Sequence, residues 1–368
     1  MSKTMKKAKL CVLLSAAGIL GGLLAVYYLF RDAPGFARRV TKGFSQPFRA
    51  GMGRFFGLFP LSFMEVFYVL GALALLAFVA VTVVKLLRRK DRWRTLLRRV
   101  GALALAALFI LTGYVWIWGI EYDAPGFQEE SGLYGVPLET RELIAVSEYF
   151  LKNANDLAPK MPRDGEGHFA VPREDILKGY GGIYDTLRAE FPCLDGSVSV
   201  PKRMMFSRLV SVLGFTGFYF ALTGETNLNL DAPVPFLGQT VAHELGHQLG
   251  FPSEAECNFL GVAACVTSGE PVYAYSGYLS GLVHLMNALY SADHDAWSTL
   301  REKYCPELLT DLRDNSAYWD SMEKKVTKAT EKVYDAYLRS NRDELGIRSY
   351  GACVDLIAAY FGEAAHAE

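Results

Sequence analysis

Three apolar stretches crowd the first 120 residues, and they limit what this chain can become more than any other feature. They run from Leu10 to Phe30, from Leu61 to Val84 and from Val100 to Ile120. Each is about 20 residues or longer, enough for a helix to cross a hydrocarbon core roughly 30 Å thick. Inside lipid every backbone polar group must be satisfied within the segment, so three helical spans are expected. The first stretch follows Lys3, Lys6, Lys7 and Lys9, as a signal peptide would. Its apolar run is long, however, and no small-residue cleavage site ends it, so it reads as an uncleaved anchor.

Charge divides the chain at the same place. Residues 1–120 carry 18 Lys and Arg against three acids, whereas residues 121–368 carry 20 against 36. The acidic part has no electrostatic footprint for nucleic acid, and none is expected as a partner. Between the second and third stretches lies "KLLRRKDRWRTLLRR", with eight Lys and Arg in 15 residues, while residues 31–60 hold six over twice that length. The positive-inside rule therefore places the N-terminus and this basic loop in the cytoplasm and everything after Ile120 outside. The same loop is suited to touching anionic lipid of the bilayer. Trp116 and Trp118, at the outer end of the third stretch, suit an interfacial aromatic belt. The expected organisation is a membrane region over 1–120, with spans at about 10–30, 61–84 and 100–120. A Gly/Pro-containing linker over 121–138 and an extracytoplasmic domain over 139–368 follow.

In the outer part the apolar spacing is mostly that of helices, at about 139–154, 173–190, 202–212, 253–267, 276–291, 293–303, 306–340 and 343–361. "GFTGFYFALTGETNLNL" breaks the pattern and reads as one or two short strands with a turn at Gly224. The apolar run from Met204 to Leu222 is not counted as a fourth span, because Arg208 and glycines interrupt it. Five cysteines fall in this part, an odd number, and no CxxC occurs, so a thiolate zinc site is not expected.

One motif carries chemistry. In "TVAHELGHQLGF", residues 240–251, two histidines stand four apart with a glutamate between them. At about 100° per residue, His247 lies about 40° from His243, and Glu244 about 100°. Leu237, Val241, Leu245 and Leu249 gather on another face. Such a helix buries an apolar stripe and turns both imidazoles together, as a zinc-binding helix must. A catalytic zinc also needs a third protein ligand and an open position. Just beyond Gly250, "FPSEAECNFLG" starts a new helix with an S-x-x-E capping box at Ser253 and Glu256. Glu254 and Asn258 stand one turn apart on that helix. Glu254 is the first choice for third ligand, with Glu256 the alternative. Asn258 is placed to orient a histidine from behind. Tyr275, Tyr278 and His284, in "YAYSGYLSGLVH", are candidate donors to a developing oxyanion. Their plain alternative is packing on an amphipathic helix. His168, His294 and His366 read as solvated, and the helix over 306–340 as a charged support.

HExxH followed by E-x-x-x-N resembles the gluzincin metallopeptidases. The whole chain looks like an uncharacterised family of bacterial membrane proteins with three N-terminal spans, known as a conserved domain of unknown function. "FPLSFMEVFYVL", "GFTGFYFALTGETNLN", "HELGHQLGF", "EAECNF" and "YSGYLSGLVHLMNAL" carry that likeness. The metzincin pattern fails, since Ser253 stands where its third histidine belongs. The fold class expected is mainly α: three transmembrane helices, then a largely helical zincin-like domain with a short β-segment. The gluzincin resemblance implies that His243, His247 and Glu254 hold Zn²⁺ and that Glu244 is the general base. The enzyme would then be a zinc metallopeptidase acting on a peptide or protein, and its address suggests membrane or envelope proteins. Two other functions stay open: a non-catalytic membrane protein that keeps a structural or vestigial metal-binding helix pair, and a metal hydrolase of a non-peptide bond.

Overall fold

The computed structural model describes residues 3–88, 91–322, 324–343 and 349–367. Arg89 and Lys90 of the basic loop, and 344–348 of the helix expected over 343–361, lie outside the described residues. The chain divides into two compact units, residues 1–48 with 63–124, and residues 49–62 with 125–368.

The first unit holds three helices long and apolar enough to cross a membrane: Cys11–Phe30, Phe63–Arg88 and Arg92–Ile117. No more than 11% of any of these spans is buried within the protein. Side chains such as Leu75, Leu76, Phe109 and Ile110 stay exposed. A soluble protein could not leave three such helices bare, so this is a multi-pass membrane protein. The third span packs against both others. Where it ends, Tyr27, Ala37, Val115 and Ile120 form a small buried cluster. The Tyr27 hydroxyl donates to Asp123 at 2.6 Å, and the Ser45 hydroxyl to the Trp116 carbonyl at 2.8 Å.

The second unit is built on helices Thr140–Leu157, Glu254–Thr267, Pro271–Ala292 and Ser349–Ala367, which pack on one another. Phe150, Phe259, Leu260, Val262 and Ile357 are fully buried between them. Each such side chain contributes about 1.5–3 kcal/mol on burial. The motif helix, Leu237–Leu249, packs one side against the second and third of these helices. Its other side meets a three-stranded sheet of β1 (Lys202–Arg203), β2 (Gly217–Phe220) and β3 (Glu225–Leu228), ordered β1-β3-β2. β1 runs parallel to β3; β2 pairs antiparallel to it, Gly217 opposite Leu228 and Phe220 opposite Glu225. The hairpin turns through Gly224, as the sequence suggested.

Residues 49–62, which lie in sequence between the first and second spans, fold into this second unit. Lys202 donates its ammonium protons to the Phe56 and Phe59 carbonyls. The Ser62 hydroxyl bonds the Asn227 side chain at 2.7 Å. Two spans separate residues 49–62 from residues 125–368, so both segments lie on the same side of the membrane. That agrees with the absence of a span over Met204–Leu222, which holds a short helix Ser207–Val212 and β2.

Several boundaries differ from the sequence reading. The stretch 121–138, expected as a linker, contains helix Phe127–Ser131, and Phe127 is fully buried against Phe191, Phe251 and Phe259. The helix expected over 173–190 is two, Arg173–Lys178 and Asp185–Glu190, because three glycines between them favour turns. The long helix over 306–340 likewise divides into Pro306–Asp320 and Lys324–Ser340.

A buried ionic group ties the helical part together. Asp311, fully buried, takes two bonds from Arg163, at 2.6 and 2.9 Å, and one from the Tyr275 hydroxyl at 2.5 Å. Removing one partner leaves the other charge stranded, which costs about 3–5 kcal/mol. Asp311→Ala should therefore lower the melting temperature of the full chain in detergent sharply. An unchanged melting temperature would show that this group is not a structural tie.

Candidate metal centre

The motif helix ends at Gly250, whose φ of 110° lies where side chains are rarely accommodated. This left-handed residue turns the chain within three positions, so that Ser253 caps the next helix by accepting from the Glu256 N–H. The tight turn lets Glu254, only seven residues past His247, fold back onto both imidazoles.

His243, His247 and Glu254 each offer one ligand atom, and these lie within 4.8 Å of one another. His243 Nε2 is 3.3 Å from Glu254 Oε2, and His247 Nε2 is 3.5 Å from Glu254 Oε1. Zinc–ligand bonds of about 2.0–2.1 Å in a tetrahedron separate neighbouring ligand atoms by roughly 3.4 Å. The donor set and spacing therefore fit such an ion. On the far side of the His247 ring, Nδ1 meets the Phe251 carbonyl at 2.8 Å, which keeps Nε2 turned inward, and Cys257 Sγ at 3.3 Å.

The electrostatics follow from this crowding. Burial would raise the Glu254 carboxyl, but hydrogen bonds from both imidazoles and their charge outweigh it and hold it well below the usual carboxylate range. Burial opposes charge on His247, yet Cys257 and Glu254 carry its pKa well above the ordinary value. Burial pushes the Cys257 thiol up to about 11, against the pull of the His247 charge.

Glu244 is buried beside this group. Burial raises its carboxyl above the ordinary value against the pull of the two histidines, and the Tyr219 N–H of β2 hydrogen-bonds to it. Its Oε2 has no hydrogen-bond partner among the described residues. The carboxylate fits because position 217 is glycine: a Cβ there would come within 2.6 Å of Glu244 Oε1.

The other sequence candidates distribute unevenly. Glu256 is not part of the group. Its carboxylate turns to the start of helix Phe127–Ser131, taking the Gln128 N–H at 3.0 Å, so it serves the helix end and not the metal centre. Asn258 is buried one turn beyond Glu254, but no bond joins it to either histidine, and its Nδ2 has no partner among the described residues. The Phe251 carbonyl takes the orienting role expected of it. Tyr275 points to Asp311 and stacks on Phe169, and Tyr278 meets Tyr149, hydroxyl to hydroxyl, at 3.3 Å within an aromatic cluster. His284 does feel the centre: burial and the His243 charge pull its pKa down to about 4, leaving a neutral imidazole. His168, read as solvated, is half-exposed and bonded to Asp314 at 2.6 Å.

Tyr334 was not anticipated. It lies on helix Lys324–Ser340, and its hydroxyl donates to Glu254 Oε1 at 2.5 Å. Its ring meets Phe215 edge-on, just before β2. The faint signal was a stripe of uncharged residues, Thr327, Thr330, Tyr334, Tyr337 and Leu338, at helical spacing in an otherwise charged segment.

A family model described as "Protein of unknown function (DUF3810)" matches residues 41–358, which takes in every residue of this centre. No curated protein and no solved structure gives a significant match.

The two glutamates make the assignment testable. With Zn²⁺ as probe and a chromophoric chelator as competitor, Glu254→Gln should weaken affinity more than about a hundredfold, beyond the usual cost of losing an outer support. Glu256→Gln should leave affinity within a few-fold of wild type. Equal losses in both variants would contradict the assignment.

Proposed function

We propose that this chain, which belongs to the DUF3810 family, is a membrane-anchored zinc metallopeptidase of gluzincin-like design. His243, His247 and Glu254 are the metal ligands in this reading. The observation that carries the proposal is Glu244: a buried carboxylate beside the three ligands, with one oxygen unpartnered among the described residues. A purely structural metal has no use for such a group, whereas hydrolysis needs a base held there. Bound Zn²⁺ supplies Lewis acidity, polarising a carbonyl and acidifying water at its open position. Glu244 takes one proton from the attacking water as its oxygen adds to the carbonyl carbon. When the C–N bond breaks, Glu244 hands that proton to the leaving amine.

Two further features favour a peptide as substrate. β2 is an edge strand among the described residues, and the N–H of Tyr219 reaches Glu244, so this strand runs beside the base, where an extended chain would be read. Tyr334 puts a hydroxyl against a ligand oxygen, where it can turn to stabilise negative charge developing on the substrate carbonyl. The charge bias of the loops favours an extracytoplasmic centre, with membrane or envelope proteins as its substrates.

Against an unfolded protein such as casein, with the full chain in detergent, Glu244→Gln should retain its metal and lose activity by roughly 10²–10⁴-fold. Tyr334→Phe should also retain metal and lose about 10²-fold in kcat with little change in KM. A Glu244→Gln variant as active as wild type would exclude the proposed role.

A further inference from the structure

Away from the metal centre, three arginines from three elements of the second unit line one pocket of about 390 Å³. Arg173 comes from the first turn of helix Arg173–Lys178, Arg203 from β1, and Arg208 from helix Ser207–Val212. Asp231 is the one carboxylate among the lining residues, and Tyr318 closes a side. Arg203 forms a 3.1 Å ion pair with Glu174, exposed on both sides and so a weak one. Arg208 has no ion pair among the described residues, and the buried Nε–H of Arg173 has no acceptor among them. A buried guanidinium N–H without an acceptor is costly, and three convergent guanidinium groups repel one another unless an anion lies between them. This positive pocket sits in a part of the chain that carries 20 basic against 36 acidic groups, so general attraction of anions does not account for it.

The apolar surroundings narrow the anion's identity. Met205, Phe206 and Leu209, interleaved in sequence with Arg203 and Arg208, are all exposed. Lys202, which precedes Arg203 in β1 and is buried where Arg203 is exposed, pins the Phe56 and Phe59 carbonyls, in a segment where Phe55, Leu58 and Phe59 are exposed. That segment ends at Ser62, and the next residue, Phe63, begins a membrane span. A soluble anion gains nothing from exposed apolar side chains such as Met205, Phe206 and Leu209, which are interleaved in sequence with two of the arginines. A phospholipid gains contacts for its acyl chains while the arginines hold its phosphate.

We infer that the pocket of Arg173, Arg203 and Arg208 binds the phosphate of an anionic phospholipid headgroup. The inference does not depend on the peptidase reading. The probe is dihexanoyl phosphatidylglycerol, titrated into the full chain in neutral detergent and followed by thermal unfolding, with inorganic phosphate as the second arm. The lipid should raise the melting temperature of wild type. Arg203→Gln/Arg208→Gln should need roughly 30-fold more lipid for the same rise, by the usual contribution of two surface cations. Both side chains are exposed, so this variant should melt with wild type when no lipid is present. If it melts early, Arg208→Gln alone, which disturbs no ion pair, carries the test with about a fivefold loss. Identical lipid titrations for wild type and variant would overturn the inference. So would inorganic phosphate matching the lipid, which would make this a free-anion pocket.

Discussion

The second unit depends on one crowded contact, the meeting of Glu254 with the imidazoles of His243 and His247. Three ionisable side chains in a largely buried place are unfavourable unless their charges and hydrogen bonds offset the lost hydration. The sequence around them makes the contact unavoidable. Gly250 reverses the chain, Ser253 fixes the start of the next helix, and Phe251 turns its carbonyl to His247. Close approach of the two helices is permitted at Gly246 and Gly261, where a Cβ would press on Cys257 and on the His243 backbone. A divalent cation would occupy the same space, replacing proton-mediated pairing with coordination.

The membrane attachment and the cluster of His243, His247 and Glu254 are connected through the order of the chain. A short segment between the first two spans contributes to the unit that bears the centre, so that unit is tied to the membrane before the second span as well as after the third. Its contacts with β1 and β3, through Lys202 and Ser62, reach the same sheet that borders the motif helix. In the proposed reading, a substrate laid along β2 would therefore be held on a sheet braced from both attachments.

What could be read in advance was whatever short-range spacing determines. The spans follow from length and hydropathy alone. The common face of His243 and His247 follows from helical periodicity, and Glu254 from the turn and cap that start its helix. Contacts set by distant segments left no comparable trace. Glu256 stood as the alternative to Glu254 until helix Phe127–Ser131 claimed its carboxylate. Tyr275 seemed as well placed as any donor, but Asp311 and Arg163 hold it elsewhere. Tyr334 reaches Glu254 across 80 residues of sequence, and no local pattern specifies that pairing.

The most direct test is the metal content of the full chain purified without chelators. The account predicts about one zinc per chain, with an X-ray absorption spectrum showing two imidazoles and light O/N ligands at about 2.0–2.1 Å. It also predicts loss of that zinc in His247→Ala. A folded wild type that neither carries zinc nor takes it up when supplied would contradict the account and leave the HELGH helix as a packing element of a membrane protein.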